Sequence, residues 1–410
     1  MSAGDARPDA PPRSLWQSEV ALRPPDLEGD CRVDVAIVGA GLSGLWLAHH
    51  LRHRGAAVLV LDQTHPAHGA SGRNAGFVLA GTRDLYASAV RRLGRTDARE
   101  WLELSRLNRR LLEELAKAAP DDIGLQSTGS VYLADPDEAA DLRDTVEFLR
   151  EDGVPASVAL PGDLSQALKR LAAPLAAHFP EDGAVHPARL VHQLWQVAGR
   201  QGVRIVGHAP VTRVVSSPAG VTLTTPRGMV RAARVVLAVN AWLPQILPEA
   251  EEWVRPVRAQ VLATAPVDPL YEWPVYASHG YLYWRQRPDG RLIVGGYRHL
   301  DPAAEVGYPL VLHAKIQGRL EELAGRIAGG PVEVTHRWAG TMGFSPDHLP
   351  FVEEVEPGVH VVGGYSGHGV ALTAALAEVL ARHLTTGVPI PPILSLTRKS
   401  WTTFRDDAGT

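Results

Sequence analysis

The sequence predicts an α/β protein built on two sheets, one parallel and flanked by helices, the other mixed or antiparallel. Three observations lead there. Asp34 to Asp62 reads as a β-branched strand, a glycine turn, a helix and a second short apolar strand. From Trp253 to about Val334, apolar and polar residues alternate with the period of two that marks strands with one buried face. At 410 residues the chain also exceeds what one hydrophobic core usually supports, so two domains are expected.

In the first unit Val35 to Val38 runs into Gly39-Ala40-Gly41-Leu42-Ser43-Gly44, and a helical pattern follows until Gly55. Val58 to Leu61 then ends on Asp62-Gln63. Gly39 permits a tight turn, Gly41 lets backbone approach a pyrophosphate, and Gly44 lets the helix pack on the strand. The unpaired N–H groups of that helix start, at Leu42 and Ser43, favour an anion. A carboxylate at Asp62 suits ribose hydroxyls and repels a 2′-phosphate, which favours FAD or NAD over NADP. This is a Rossmann-like dinucleotide unit.

Composition narrows the class. Hydrophobic content of 45% and charged content of 21% are ordinary for a globular enzyme. A net charge of −4 gives no reason to expect nucleic acid or an anionic membrane. The lone Cys31 excludes an internal disulfide framework and an all-cysteine metal site, and no metal is expected. The N-terminus lacks the apolar core of a signal peptide and there is no apolar run of about eighteen residues, so a cytoplasmic location is expected. Proline and small polar residues make the first dozen positions a disordered tail by expectation.

After Asp62 comes a loop of small residues that reads GASGRNAGFV from Gly69 to Val78. Directly after a ribose-binding strand, such a loop is where backbone lies against a ligand. GASGRNAGFV behind a GxGxxG unit resembles the flavin loop of the D-amino-acid oxidase (DAO) superfamily of FAD-dependent oxidoreductases, which includes glycine, sarcosine and γ-glutamylputrescine oxidases. Ser14-Leu15-Trp16 and the tetrapeptide Ser71-Gly72-Arg73-Asn74 most resemble the γ-glutamylputrescine oxidase branch. The likeness extends in pieces from Ser14 to Thr386, and implies a DAO/glutathione-reductase-like fold. It places Ser71, Gly72, Arg73, Asn74 and Ala75 on the cofactor, with Arg73 nearest the ring.

Farther along, Thr82 to about Arg150 is mostly helical, with Trp101, Leu104, Leu107, Leu111 and Leu115 as one buried stripe. Gly129 to Ala134 begins a different sheet, and helix and loop continue to Pro180. His186, before a proline, is a structural residue by expectation, with a place bordering the active site as the other reading. Val203 to Val206 is a strand, and the resemblance has Val211 holding the adenine. Strands at Val221 to Thr225 and Met229 to Ala232 precede a continuous apolar strand from Arg234, whose end brings Asn240 and Ala241 to the cofactor. Pro288-Asp289-Gly290 signals a hairpin between two alternating runs. Tyr281 and Tyr283 share a face there. Trp338 to Gly343, with Gly340 on the cofactor, leads on to a strand and then Gly363-Gly364-Tyr365-Ser366-Gly367-His368-Gly369, which opens a helix at Val370. GYSGHG before an apolar helix is again a superfamily resemblance. It assigns Gly364, Gly367, His368, Gly369 and Val370 to the cofactor.

These readings predict a tail and lead-in segment over 1–30, a discontinuous FAD domain over 31–85, 181–245 and 335–390, a substrate domain over 86–180 and 246–334, and a C-terminal tail over 391–410. Arg73, Tyr281, Tyr283, Arg298 and His368 are expected at the reacting end. Three departures from relatives qualify the resemblance. Met342-Gly343 stands where amino-acid oxidases carry a carboxylate-binding arginine and a proline, so a free α-amino acid is expected to be a poor substrate unless Arg73, Arg285 or Arg298 binds the carboxylate. Val294 aligns with the oxygen-activating lysine of sarcosine oxidases. Neither Arg73 nor Cys31 matches a covalent attachment residue, so FAD is expected to be non-covalent. The expected reaction is oxidation of a primary or secondary amine, γ-glutamylputrescine-like or N-substituted, to an imine and then an aldehyde, with O2 reduced to H2O2. The alternatives are a dehydrogenase or tailoring oxidase with another acceptor, and a scaffold that holds FAD without turnover. Oligomeric state is left open.

Overall fold

The computed structural model describes residues 12–118, 122–159 and 164–404. The tail expected over the first dozen positions lies outside them up to residue 11. Strands β1 to β18 and helices α1 to α9 are numbered in chain order among the described residues.

The first sheet has β8 (Arg204–Val206), β2 (Val58–Leu61), β1 (Cys31–Val38), β11 (Gly228–Leu237) and β18 (Val359–Gly363) side by side and parallel. Antiparallel β17 (Phe351–Glu356) closes one edge, and the hairpin of β9 (Arg213–Ser217) and β10 (Gly220–Thr225) pairs onto β11. Helices α2 (Leu42–His53), α7 (Pro187–Arg200) and α9 (Gly369–Thr386) contribute Leu45, Leu194 and Leu372 to a core with Ile37 and Val60. On the opposite face Ala36, Leu59 and Val235 pack with Leu223 of the hairpin. Burial on both faces explains why β2 is uninterrupted Val-Leu-Val-Leu.

The second sheet runs β16 (Val334–Phe344), β12 (Arg255–Pro266), β15 (Arg291–Gly296), β14 (Leu282–Gln286), β13 (Val275–Ala277), β4 (Ser130–Ala134), β6 (Leu175–Phe179), β5 (Ser157–Ala159). Its pairs are antiparallel except β13 with β4. The hairpin at Pro288-Asp289-Gly290 forms as expected, with Gly290 at a φ of 84°. Helix α8 (Ala314–Ala328) covers one face, setting Leu320, Leu323 and Ile327 on Leu262 and Val294. A two-stranded ribbon pairs β3 (Phe77–Val78) with β7 (Gly183–Ala184). Helices α3 (Tyr86–Leu93), α4 (Arg95–Ala118) and α5 (Ala139–Glu151) complete the helical stretch, with the short α1 (Leu15–Glu19) and α6 (Gln166–Lys169) elsewhere. In α4 the fully buried Asn108 donates to the Val370 carbonyl (3.0 Å) and accepts from Ala374 N–H (2.8 Å), which ties α4 to the first turns of α9.

Four expectations change. Met229 to Ala232 and the apolar run after Arg234 are one strand, β11, because exposed Ala233 and Arg234 continue the ladder with β1. The alanine-rich β6 and the short β5 take up part of the stretch expected to be helix and loop up to Pro180. Val334 to Phe344 belongs to the second sheet, paired along its length with β12, so the sheet boundary falls near 344 and not at 335. The C-terminal segment is held in the fold: Arg398 makes a bidentate bond to buried Asp347 (2.7 and 2.6 Å) and donates to the Leu349 and Pro350 carbonyls.

Candidate active site

β1 delivers its C-terminal end to the glycine turn, and the glycines there have no room for a side chain. A β-carbon on Gly39, at a φ of 106°, would stand 2.7 Å from the Ala238 carbonyl oxygen. One on Gly41 would stand 2.9 Å from Ser71 Oγ, and one on Gly44 only 1.9 Å from the Gly39 carbonyl oxygen. Gly41 is the N-cap of α2, whose first N–H, at Leu42, donates to Ser71 Oγ (3.0 Å). Ser43 Oγ donates to Tyr365 Oη (2.8 Å). Asp62 turns back on this turn: one carboxylate oxygen accepts from Ala40 N–H (2.9 Å) and the other from Thr64 N–H (2.8 Å).

The small-residue loop is clamped from both sides. Ser14 Oγ donates to the Gly72 carbonyl (2.6 Å), Trp16 Nε1 to that of Asn74 (2.7 Å), and Gln17 Nε2 to those of Ala67 and His68. Arg73 is buried, and its guanidinium donates to the carbonyls of His68, Pro12 and Ala339. Burial lowers its pKa to about 10. Arg73 is thus consumed in tying three segments together, although it still lines the cavity. Asn74 is spent on the loop as well, on Ala70, Ser71 and Gly76.

One cavity of about 590 Å³ is bounded by the C-terminal ends of β1 and β2 and by residues of β12, β14 and β16. Its end nearest the glycine turn takes in Gly39, Gly41, Leu42, Ser43, Asp62, Gln63, Ser71, Val211 and Asn240. Its middle has Arg73, Asn74, Ala75, Gly340, Met342, Gly367, His368, Gly369 and Val370. Gly44, Gly72, Ala241 and Gly364 do not line it. They shape it from behind: a β-carbon on Gly72 would meet the Ala67 carbonyl oxygen at 2.0 Å, and Gly364 N–H donates to Asn240 Oδ1 (2.9 Å). An elongated cradle of bare glycines, with a helix start at one end and a carboxylate beside it, fits a dinucleotide.

The remaining end carries Phe77, Arg83, Tyr276, Tyr281, Tyr283, Arg298 and Phe344. Tyr283 lies against Gly295, where a β-carbon would stand 2.2 Å from its ring, and its neighbours are Tyr276 (5.9 Å between centroids) and Phe77 (6.1 Å). The Arg298 guanidinium sits 4.6 Å from the Tyr281 ring centroid and 4.8 Å from that of Phe344. Arg83 faces the same two rings at 5.7 and 5.9 Å and bonds His348 Nδ1 (2.8 Å). Burial and the nearby charge of Arg83 bring Arg298 down to about 10. Burial, with Arg83 adding to it, brings His368 down to about 4, so it is neutral at pH 7, and its Nδ1 has no hydrogen-bond partner among the described residues.

Sequence reading missed Arg83, Tyr276 and Phe344. Phe344 was reachable, since Gly340, Met342 and Phe344 follow one another at the strand period of two. Arg83 sits outside every motif and carried no signal. Three other residues move away from the site. Val294 points to the α8 face of its sheet, so it is not over the cavity where the alignment had placed it. Arg285 donates to the Val185 carbonyl and stacks on Trp16 at 5.1 Å, outside the cavity lining. His186 caps α7 through Arg189 N–H (3.1 Å) and pairs with Glu19 (2.8 Å), which is a structural role.

A family model described as FAD dependent oxidoreductase (DAO) matches residues 34–383. The chain is 29% identical over 396 residues to a probable oxidoreductase OrdL of Rhizobium meliloti (strain 1021), covering 91% of this chain and 88% of that protein. It is 26% identical over 367 residues to the gamma-glutamylputrescine oxidoreductase of Escherichia coli (strain K12), covering 86% and 83%. The crystal structure of glycine oxidase from Geobacillus kaustophilus superposes with a TM-score of 0.75 at 26% identity, over 90% of this chain and 99% of that one.

Proposed function

The chain belongs to the DAO family of FAD-dependent oxidoreductases, and from that premise we propose that it oxidises a primary or secondary amine bearing a carboxylate remote from the nitrogen, as a γ-glutamyl amine does. The product is an imine, which water converts to an aldehyde and an amine, with O2 as electron acceptor. FAD, held without a covalent link along Gly39, Gly41, Asp62 and Ser71, would supply the two-electron acceptor.

The observation that carries this reading is the pair of Arg83 and Arg298. Both guanidiniums flank Tyr281 and Phe344, and neither forms an ion pair with a described residue. Two like charges held together in a partly apolar pocket are mutually unfavourable. A substrate carboxylate relieves that cost and accepts charge-assisted hydrogen bonds from both. Aromatic walls at Phe77, Tyr276 and Tyr283 exclude water from the chain between that anchor and the amine. Met342 presents an apolar side chain in the middle of the cavity. Gly369 and Val370 at the start of α9 line the same region, and a helix start there would favour negative charge on a bound flavin by about 0.3–2 kcal/mol. His368 is neutral there, so it can take a hydrogen bond without adding positive charge. No obligate base is needed when the amine arrives unprotonated.

The test compares an amine carrying a remote carboxylate with its carboxamide. For Arg298→Met and Arg83→Met, kcat/KM on the carboxylate is expected to fall about 100-fold each. That is the effect of losing a charge-assisted hydrogen bond worth about 3 kcal/mol. The carboxamide rate and FAD content should not change. Equal losses on both compounds would remove the anion from the proposal.

A further inference from the structure

At the far end of α9 from the cavity, Glu354 and His383 converge on the buried His360. We infer that Glu354, His360 and His383 form a binding site for a divalent transition-metal ion such as Zn2+. Glu354 on β17 and His360 on β18 stand opposite each other in the strand register, and His383 comes from the last turn of α9. Their ligand atoms lie within 4.8 Å of one another.

His360 supplies the first argument. It is 2% exposed, and neither ring nitrogen has a hydrogen-bond partner among the described residues. Buried polar atoms in folded proteins are almost always satisfied, so such a ring is open to a further ligand. Its Nε2 faces Glu354 Oε2 at 4.0 Å.

The second argument is that the other two side chains are already aimed. Glu354 Oε1 accepts from Gly358 N–H (2.8 Å), which leaves Oε2 turned toward His360. His383 Nδ1 lies 2.9 Å from the Val388 carbonyl, which can only accept, so the proton is on Nδ1 and the lone pair is on Nε2. The two imidazole rings are 5.6 Å apart between centroids. A carbonyl that fixes the tautomer of a histidine in this way is the usual outer shell of a metal ligand.

Two imidazoles and one carboxylate form a nitrogen and oxygen set that suits Zn2+, with a water as fourth ligand. Bonds of about 2.0–2.2 Å require the three groups to draw together. Glu354 is exposed on an edge strand and can swing inward. The ion ties that edge to the end of the helix whose first turn faces the cavity, so its role is structural.

The experiment uses the full-length, FAD-loaded protein without an affinity tag, dialysed against EDTA and titrated with ZnCl2 by calorimetry. One equivalent is expected to bind, and Glu354→Gln and His383→Gln should each weaken binding at least tenfold. Zn2+ should raise the Tm of the unaltered protein and not of these variants. Asp137→Asn, in the exposed group of Asp135, Asp137 and His279, should change neither. An unchanged flavin spectrum shows that each variant is folded. The inference is overturned by the absence of saturable binding, by binding that Glu354→Gln and His383→Gln leave intact, or by binding lost only in Asp137→Asn.

Discussion

A β-carbon at Gly44 would lie 1.9 Å from the Gly39 carbonyl oxygen, a contact with backbone that no rotamer change relieves. Gly44→Ala is therefore expected to destabilise the protein by about 1–3 kcal/mol and to weaken FAD binding at least tenfold, because the turn proposed to hold the pyrophosphate must open. Urea unfolding of the apoprotein and an FAD titration check it, and unchanged values in both would contradict the packing argument. At this scale the glycines were legible, since their spacing encodes a close approach that only glycine permits. The partners of polar side chains were not. Sequence gives Asp62 and Arg73 their charge, but not the fact that Asp62 accepts from Ala40 N–H or that three carbonyls take up the Arg73 guanidinium. Those partners come from segments far apart along the chain.

Among the elements, the ribbon and β4 meet at Asp182, whose carboxylate accepts from Ala80 N–H (2.7 Å) and Ser130 Oγ (2.6 Å). Burial pushes its pKa up to about 7, against about 4 for an unfolded aspartate. The folded state thus holds a proton that the unfolded chain releases between those values. The stability it contributes is complete below about pH 4 and is lost as the pH rises to about 7. Asp182→Asn keeps the acceptor and removes the titration, so it is expected to gain stability over the unaltered protein at pH 8 and not at pH 4.5. Urea midpoints at the two pH values test the sign, and a pH-independent difference would contradict it. Elements with a strong period or a glycine stop were legible: α2, α9 and the β14–β15 hairpin. Strands β5 and β6 were not, because Ala176 and Ala177 carry no β-branched signal and the ladder that holds them is made with β4. Strand β11 looked divided for the reverse reason, since its exposed residues imitate a turn.

For the molecule as a whole, the two sheets bound one cavity, and the C-terminal segment is bonded through Arg398 to Asp347, Leu349 and Pro350 in the loop between β16 and β17. Burial alone would raise the Asp347 pKa, but the hydrogen bonds and charge of Arg398 outweigh it and hold the carboxylate below its usual range. That stability is present above the unfolded pKa and is lost as the pH falls through the folded one. Arg398→Met leaves a buried carboxylate unpaired and should cost about 3–5 kcal/mol at pH 7, with a smaller loss at acid pH. Equal losses at both pH values would contradict the ion-pair account. The family's fold was legible at this scale from the glycine turn and the two glycine-rich loops. The sheet boundary near 344 was not, because Trp338 to Gly343 sits in a cofactor motif and in the second sheet at once. The proposed reaction of this cavity is oxidation of an amine anchored by its carboxylate. An anaerobic absorbance titration of the FAD-loaded protein with γ-glutamylputrescine, its carboxamide, glycine and D-amino acids, followed by admission of air, tests it most directly. Bleaching of the flavin is expected at the lowest concentration of the γ-glutamyl amine, then recovery with peroxide in air. Bleaching by glycine or a D-amino acid alone, or by no amine at all, would contradict it.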